Sequence, residues 1–251
     1  MSEIGTGSFL LTTAKIWCHL LAITLTLSGC GPTQREKEKF AEEQRQHCRD
    51  HLCEGDVLPQ YDHKKDALLK LGGVWLIGPE EYFSSGTNGA SFFWPSKTPG
   101  GRGGDFPERP TVIAGKKQEV VIEIFIRSYA YPTPPYSYQL VQMAEANKWI
   151  ASRELIRPGL ERIRYKHVHG PDGYYLDMGG SADYIATELK GSDGFPPVAR
   201  CSHYLDSGGG GTGFLWRYGL WVGVRMNQRH CIDWPEIYPE VVRVLDLLHT
   251  P

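Results

Sequence analysis

The chain has no apolar run long enough to span a bilayer as a helix. The run at Ile16–Leu27 falls short of the roughly 20 residues that such a crossing takes. It has no basic excess either. The formal net charge is −2, and Lys and Arg are scattered without forming a stripe, so nothing marks a nucleic-acid surface. No regular β-α-β rhythm runs through the sequence, which excludes a doubly wound parallel sheet. No catalytic motif is complete. The leader Met1–Ala14 lacks Lys and Arg altogether, and a start codon further in would account for that.

The short apolar run follows Lys15, and a positive residue before a run of this length fits the h-region of a signal peptide. It ends on Leu27-Ser28-Gly29-Cys30, which looks like a bacterial lipobox. In such signals the peptidase cuts before the cysteine, whose sulfur and amine then carry lipid. Each buried methylene contributes about 0.8 kcal/mol, so several acyl chains anchor firmly where one does not. Gly31, rather than Asp, follows Cys30, and this points to the periplasmic face of the outer membrane. The expected organisation is a signal peptide at 1–29, a lipidated tether at 30–55 and one α+β domain at 56–251. Residues Gln34–Asp50 mix charges of both signs with few apolar residues and read as a helical or disordered tether.

Six cysteines are present. Cys18 leaves with the signal and Cys30 is the anchor. Cys48, Cys53, Cys201 and Cys231 remain, an even set in an oxidising compartment. The pairs closer in sequence, Cys48–Cys53 and Cys201–Cys231, are favoured. A zinc site with His47 and His51 is the rival reading, but its spacing is looser than a two-cysteine knuckle.

Strands are expected at Gly73–Ile77, Ser91–Trp94 and Val120–Arg127. In the last, Val120, Ile122, Ile124 and Ile126 share one face. Helical spacing runs from Tyr138 to Arg153, with Pro158 ending whatever helix remains. Ile163–His169 alternates like a strand, Pro171-Asp172-Gly173 is a turn, and Tyr174–Met178 is its return arm. Asp183–Leu189 is ambiguous. Apolar strands flank Tyr218-Gly219. Asp233 and Glu236 form a capping-box pattern ahead of an apolar helix face through Trp234, Ile237, Val241, Val244, Leu245 and Leu248. The fold class is α+β, a mostly antiparallel sheet with flanking helices, one of them C-terminal.

Chemistry-bearing patterns are weak. Gly179-Gly180-Ser181-Ala182-Asp183 nearly matches a nucleophile elbow, but Asp183 stands where the strained turn needs glycine. His167 and His169 share a strand face, as metal ligands sometimes do, yet no spacing marks further ligands among His203, His230 and Asp177. Gly208–Gly213 lacks the Lys-Ser/Thr of a phosphate loop and reads as a hairpin loop. Cys201 beside His203 reads more simply as half of a disulfide than as a thiol nucleophile.

The order of features is more informative. A lipobox is followed by Phe92-Phe93-Trp94-Pro95-Ser96-Lys97-Thr98-Pro99 and Glu123-Ile124-Phe125-Ile126-Arg127-Ser128. Then come Arg200-Cys201, a strand pair and Trp234-Pro235-Glu236-Ile237. This layout resembles the periplasmic lipoproteins that serve as immunity proteins for phospholipase effectors of the type VI secretion system. The resemblance implies a protein that is not an enzyme, needs no cofactor or metal, and binds and blocks its cognate phospholipase while held to the membrane by its N-terminal lipid. Composition places the contact surface in the loops 96–110, 129–138 and 206–213, since aromatic residues favour binding surfaces. Arg102, Tyr131, Tyr136 and Asp206 are the interface candidates there. An envelope lipoprotein with another binding role, as a secretion-apparatus accessory or ligand-binding module, is the alternative, followed by a lipid-anchored hydrolase.

Overall fold

The computed structural model describes residues 33–83, 88–100, 119–128, 137–167, 180–201 and 209–251. The chain divides into two compact units, Met1–His47 and Cys48–Pro251. The described part of the first is the body of helix α1 (Gln34–Asp50), none of whose residues is buried. A capping box starts it. Glu36 N–H donates to Thr33 Oγ1 at 3.3 Å, and Thr33 N–H donates to the Glu36 carboxylate at 2.6 Å. These bonds, with that from the Thr33 backbone foremost, hold the Glu36 carboxyl below its usual range. Exposed pairs such as Lys39–Glu43 and Arg45–Glu42 add a few tenths of a kcal/mol each. Over 34–47 the helix therefore stands on local interactions, as its lack of an apolar face requires, whereas in its last turn Asp50 accepts from Ser128 Oγ and Gly72 N–H.

In the second unit, the described strands form an antiparallel hairpin and one eight-stranded antiparallel sheet. The hairpin joins β1 (Asp66–Leu71) to β2 (Val74–Pro79). In the sheet, β3 (Gly89–Trp94) pairs with β4 (Val120–Ser128). The chain then passes through helix α2 (Ser137–Ala146) to the far edge. From there β5 (Ile150–Arg157), β6 (Leu160–Tyr165), β7 (Ala182–Ala186), β8 (Val198–Cys201), β9 (Gly209–Leu215) and β10 (Leu220–Asn227) return strand by strand. β10 closes the path against β4, with Val222 opposite Ile126 and Val224 opposite Ile124. Helix α3 (Trp234–Asp246) follows.

Strand alternation sorts the core into two layers. On one face, Ile122, Ile124 and Ile126 of β4 and Leu220, Val222, Val224 and Met226 of β10 pack with Tyr184, Ala199 and the apolar side of α3. On the other face, Ile163, Ile185 and Val198 pack with Val141 and Ala144 of α2. Tyr184 and Ile185 are consecutive, so α3 and α2 cover opposite faces. Trp234 is fully buried, and its indole N–H donates to Pro197 O at 3.1 Å.

Four expectations need correction. The helix over 138–153 stops at Ala146, and Ile150 onward is strand. Asn147 N–H and Nδ2 both donate to Met143 O, and Lys148 takes a left-handed backbone at φ 58°, which ends the helix. Pro158 then begins a tight turn rather than ending a helix. Arg157 pairs with Leu160 across Pro158-Gly159, and Gly159 lies at φ 76°, as the second central position of a type II turn requires. The glycine run is not a loop, because residues 209–213 are strand β9, laddered to β8 and β10. A Cβ on Gly213 would lie 2.0 Å from the Trp221 ring, so the glycine lets that ring pack on the strand. Finally, Asp233 stands at the start of α3 but its side chain makes no cap bond. Its carboxylate binds His230 Nδ1 at 2.9 Å and accepts from Trp94 Nε1 at 3.3 Å, while Glu236 binds Arg157.

Candidate functional site

The cysteines are joined as two bridges, Cys48–Cys53 and Cys201–Cys231. The first closes a turn whose Asp56 carboxylate accepts from Cys53 N–H at 2.8 Å and from Lys70 Nζ at 2.6 Å. The Lys70 bond is the main cause that holds Asp56 below the ordinary carboxylate range. The second bridge ties β8 to the 3-10 segment Gln228–Asp233. With both sulfurs of Cys48–Cys53 bonded, neither is a thiolate for zinc. Among the described residues, no three His, Cys, Asp or Glu side chains gather as a metal site would require.

Cys30, Arg102, Tyr131, Tyr136 and Asp206 lie outside the described residues, as do Gly179, His169, Asp177 and His203. Of the near-elbow, Ser181 is buried just ahead of β7. Asp183 is buried and fully engaged. Arg200 grips both its oxygens at 2.8 Å, and Tyr165 Oη donates to it at 2.5 Å. Burial, then the Asp183 charge, pushes the Tyr165 hydroxyl well above its usual pKa. Burial opposes the Arg200 charge, but the Asp183 carboxylate outweighs it and keeps the guanidinium charged. This cluster cross-links β6, β7 and β8 on the α2 face, so Asp183 is a structural acid.

A cavity of about 20 Å³ lies among Tyr138, Asp193, Pro197, Thr212 and Tyr238. That is room for about one water. Burial, then the Asp193 charge, pushes the Tyr238 hydroxyl up to about 12.

The open end of the sheet is different in character. β5 is its last strand, and Ala151–Leu155 are exposed. Ser152, Arg153, Glu154 and Leu155 stand opposite Arg164, Ile163, Arg162 and Glu161 in unbroken register, between two irregularities. Arg153 binds Glu145 of α2 and Glu161 of β6, each at 3.1 Å, and Glu154 binds Arg162. Leu155 is 70% exposed. Residues 148–166 carry six Lys or Arg and two Glu, a local excess of cations in a chain of slightly negative net charge.

The chain matches no known protein family and no curated protein. It is similar in structure to Smlt3025, an immunity protein of the Stenotrophomonas maltophilia type IV secretion system. The TM-score is 0.45 at 15% identity, over 74% of this chain and 94% of that one. A likeness of this degree does not fix a function.

Sequence reasoning missed the β5–β6 edge. The signal was the charge excess between Lys148 and Lys166, and the helical reading through Arg153 hid it by placing those residues on a helix surface.

Proposed function

We propose that the protein is a lipid-anchored periplasmic immunity protein that binds and occludes a phospholipase effector of the type VI secretion system. The observation that carries this reading is the Leu27-Ser28-Gly29-Cys30 sequence ahead of a disulfide-bonded chain. Disulfides persist in the oxidising periplasm, and a lipidated Cys30 would hold the chain at the bilayer the effector digests. The ordered features Phe92–Pro99, Glu123–Ser128, Arg200-Cys201 and Trp234–Ile237 support the family resemblance. The chemistry required is steric, since an inhibitor bound over a lipase mouth denies it the membrane surface and needs no catalytic group of its own.

The test is to direct the cognate phospholipase effector, its gene to be sought beside this one, to the periplasm, with and without this protein. Survival only when both are present, and a complex in pull-down, is the expected result. Lysis regardless of this protein, or no complex, would reject the reading.

A further inference from the structure

The two edges of the sheet are treated differently. β3 is buried at every residue, and bridges from Phe83 to Ala90 and from Pro99 to Phe92 flank it. β5 has no strand beyond it among the described residues. Open edges are ordinarily guarded by charge and bulges, and β5 has both. Its charges, however, reach back to Glu145, Glu161 and Arg162 rather than over the outer backbone. Its irregularities flank Ser152–Leu155 without interrupting them. Leu155, at 70% exposure, offers apolar surface where a purely defensive edge would carry a charge.

The charges beside this edge are unbalanced. Lys148 and Arg164 are exposed and have no acidic partner among the described residues. Arg164 stands opposite Ser152, whose small side chain leaves the guanidinium room to cross the strand spacing of about 4.8 Å to the edge. An open backbone row, a bare leucine and unmatched cations define a partner with free strand groups and negative charge. A second copy fits poorly. Two-fold antiparallel pairing centred on either middle residue would set Arg153 against Arg153 or Glu154 against Glu154, and like charges directly opposite destabilise a sheet.

We propose that the outer edge of β5 is a docking site for an extended acidic segment of the partner protein, which adds to the sheet as a further strand. The inference rests on the reading of the chain as an effector-binding protein and names where the effector docks. Carboxylates of the incoming strand meet Arg164 and Lys148, and an apolar residue covers Leu155.

Hydrogen exchange of the full mature protein, alone and with its cognate phospholipase effector, tests this. The amides of Ser152–Leu155 gain protection in the complex. The double variant Lys148→Glu/Arg164→Glu binds at least about tenfold more weakly, as loss of complementary charge at an interface implies, with its thermal midpoint unchanged. A complex without added protection at Ser152–Leu155, or wild-type affinity in the double variant, overturns the docking edge while leaving the proposed function standing. No complex at all overturns both. Phosphatidylglycerol vesicles provide a control: binding that the double variant abolishes would assign these cations to a lipid surface and overturn the inference. So would concentration-dependent dimers that protect the same amides.

Discussion

Asp56 is a carboxylate whose ionised form is held by Lys70 and by the Cys53 amide. Its pKa is lowered in the folded state, so it favours folding at neutral pH, and that contribution is lost as pH falls below the ordinary aspartate value of about 4. Asp56→Asn should flatten the acid limb of stability, measured by urea unfolding between pH 7 and pH 2; a limb as steep as wild type would contradict this. Ser91 gives the opposite case. Its buried hydroxyl has no hydrogen-bond partner among the described residues, and an unmet buried polar group costs roughly 1–3 kcal/mol. Ser91→Ala should therefore preserve or raise the unfolding midpoint, whereas a loss of more than about 1 kcal/mol would show that the hydroxyl is bonded after all. Gly213→Val should cost about 1–3 kcal/mol, because the new Cβ falls 2.0 Å from the Trp221 ring, which must shift. A circular-dichroism melt reads this out, and an unchanged midpoint would refute the close approach.

At the scale of elements, the bridges are expected to differ in weight. The chain-entropy relation gives about 2 kcal/mol for the loop of Cys48–Cys53 and about 3.6 kcal/mol for that of Cys201–Cys231, whose separations are 5 and 30 residues. Cys201→Ser/Cys231→Ser should thus lower the denaturant midpoint more than Cys48→Ser/Cys53→Ser, and the reverse order would contradict the placement of the longer bridge between β8 and the base of α3. The elements legible in sequence were those with a strong period. β4 alternates Ile122, Ile124 and Ile126 into the core, and α3 shows its apolar side because one layer of the sheet lies beneath it. Illegible elements had competing signals. Ile150–Arg157 follows a helix without a break in polarity, and only the left-handed Lys148 marks the change. The glycines of β9 look like loop by propensity, yet ladders on both sides and the Trp221 ring hold them as strand, tertiary context overriding propensity. Asp233 carried a cap signature, but Trp94 and His230, distant or turned in sequence, claimed its carboxylate.

For the whole molecule, the candidate site divides by what makes a residue legible. Cys30 lies outside the described residues and is proposed as the anchor from linear sequence alone, whereas the short-range cysteine pairing favoured from spacing is the pairing in the structure. The β5 edge was not readable, because an edge exists only once eight strands have an order. Cys30→Ser should leave the precursor unprocessed or release the protein from the membrane, and fractionation with labelled palmitate checks it. Normal processing and persistent attachment in that variant would contradict the anchor. The central claim, a tethered inhibitor of a phospholipase, is tested most directly by titrating the purified mature protein into its cognate phospholipase effector acting on phospholipid vesicles. The account predicts that hydrolysis falls to background at one protein per enzyme and that the two elute as one complex. Undiminished hydrolysis at a large excess of this protein would contradict it.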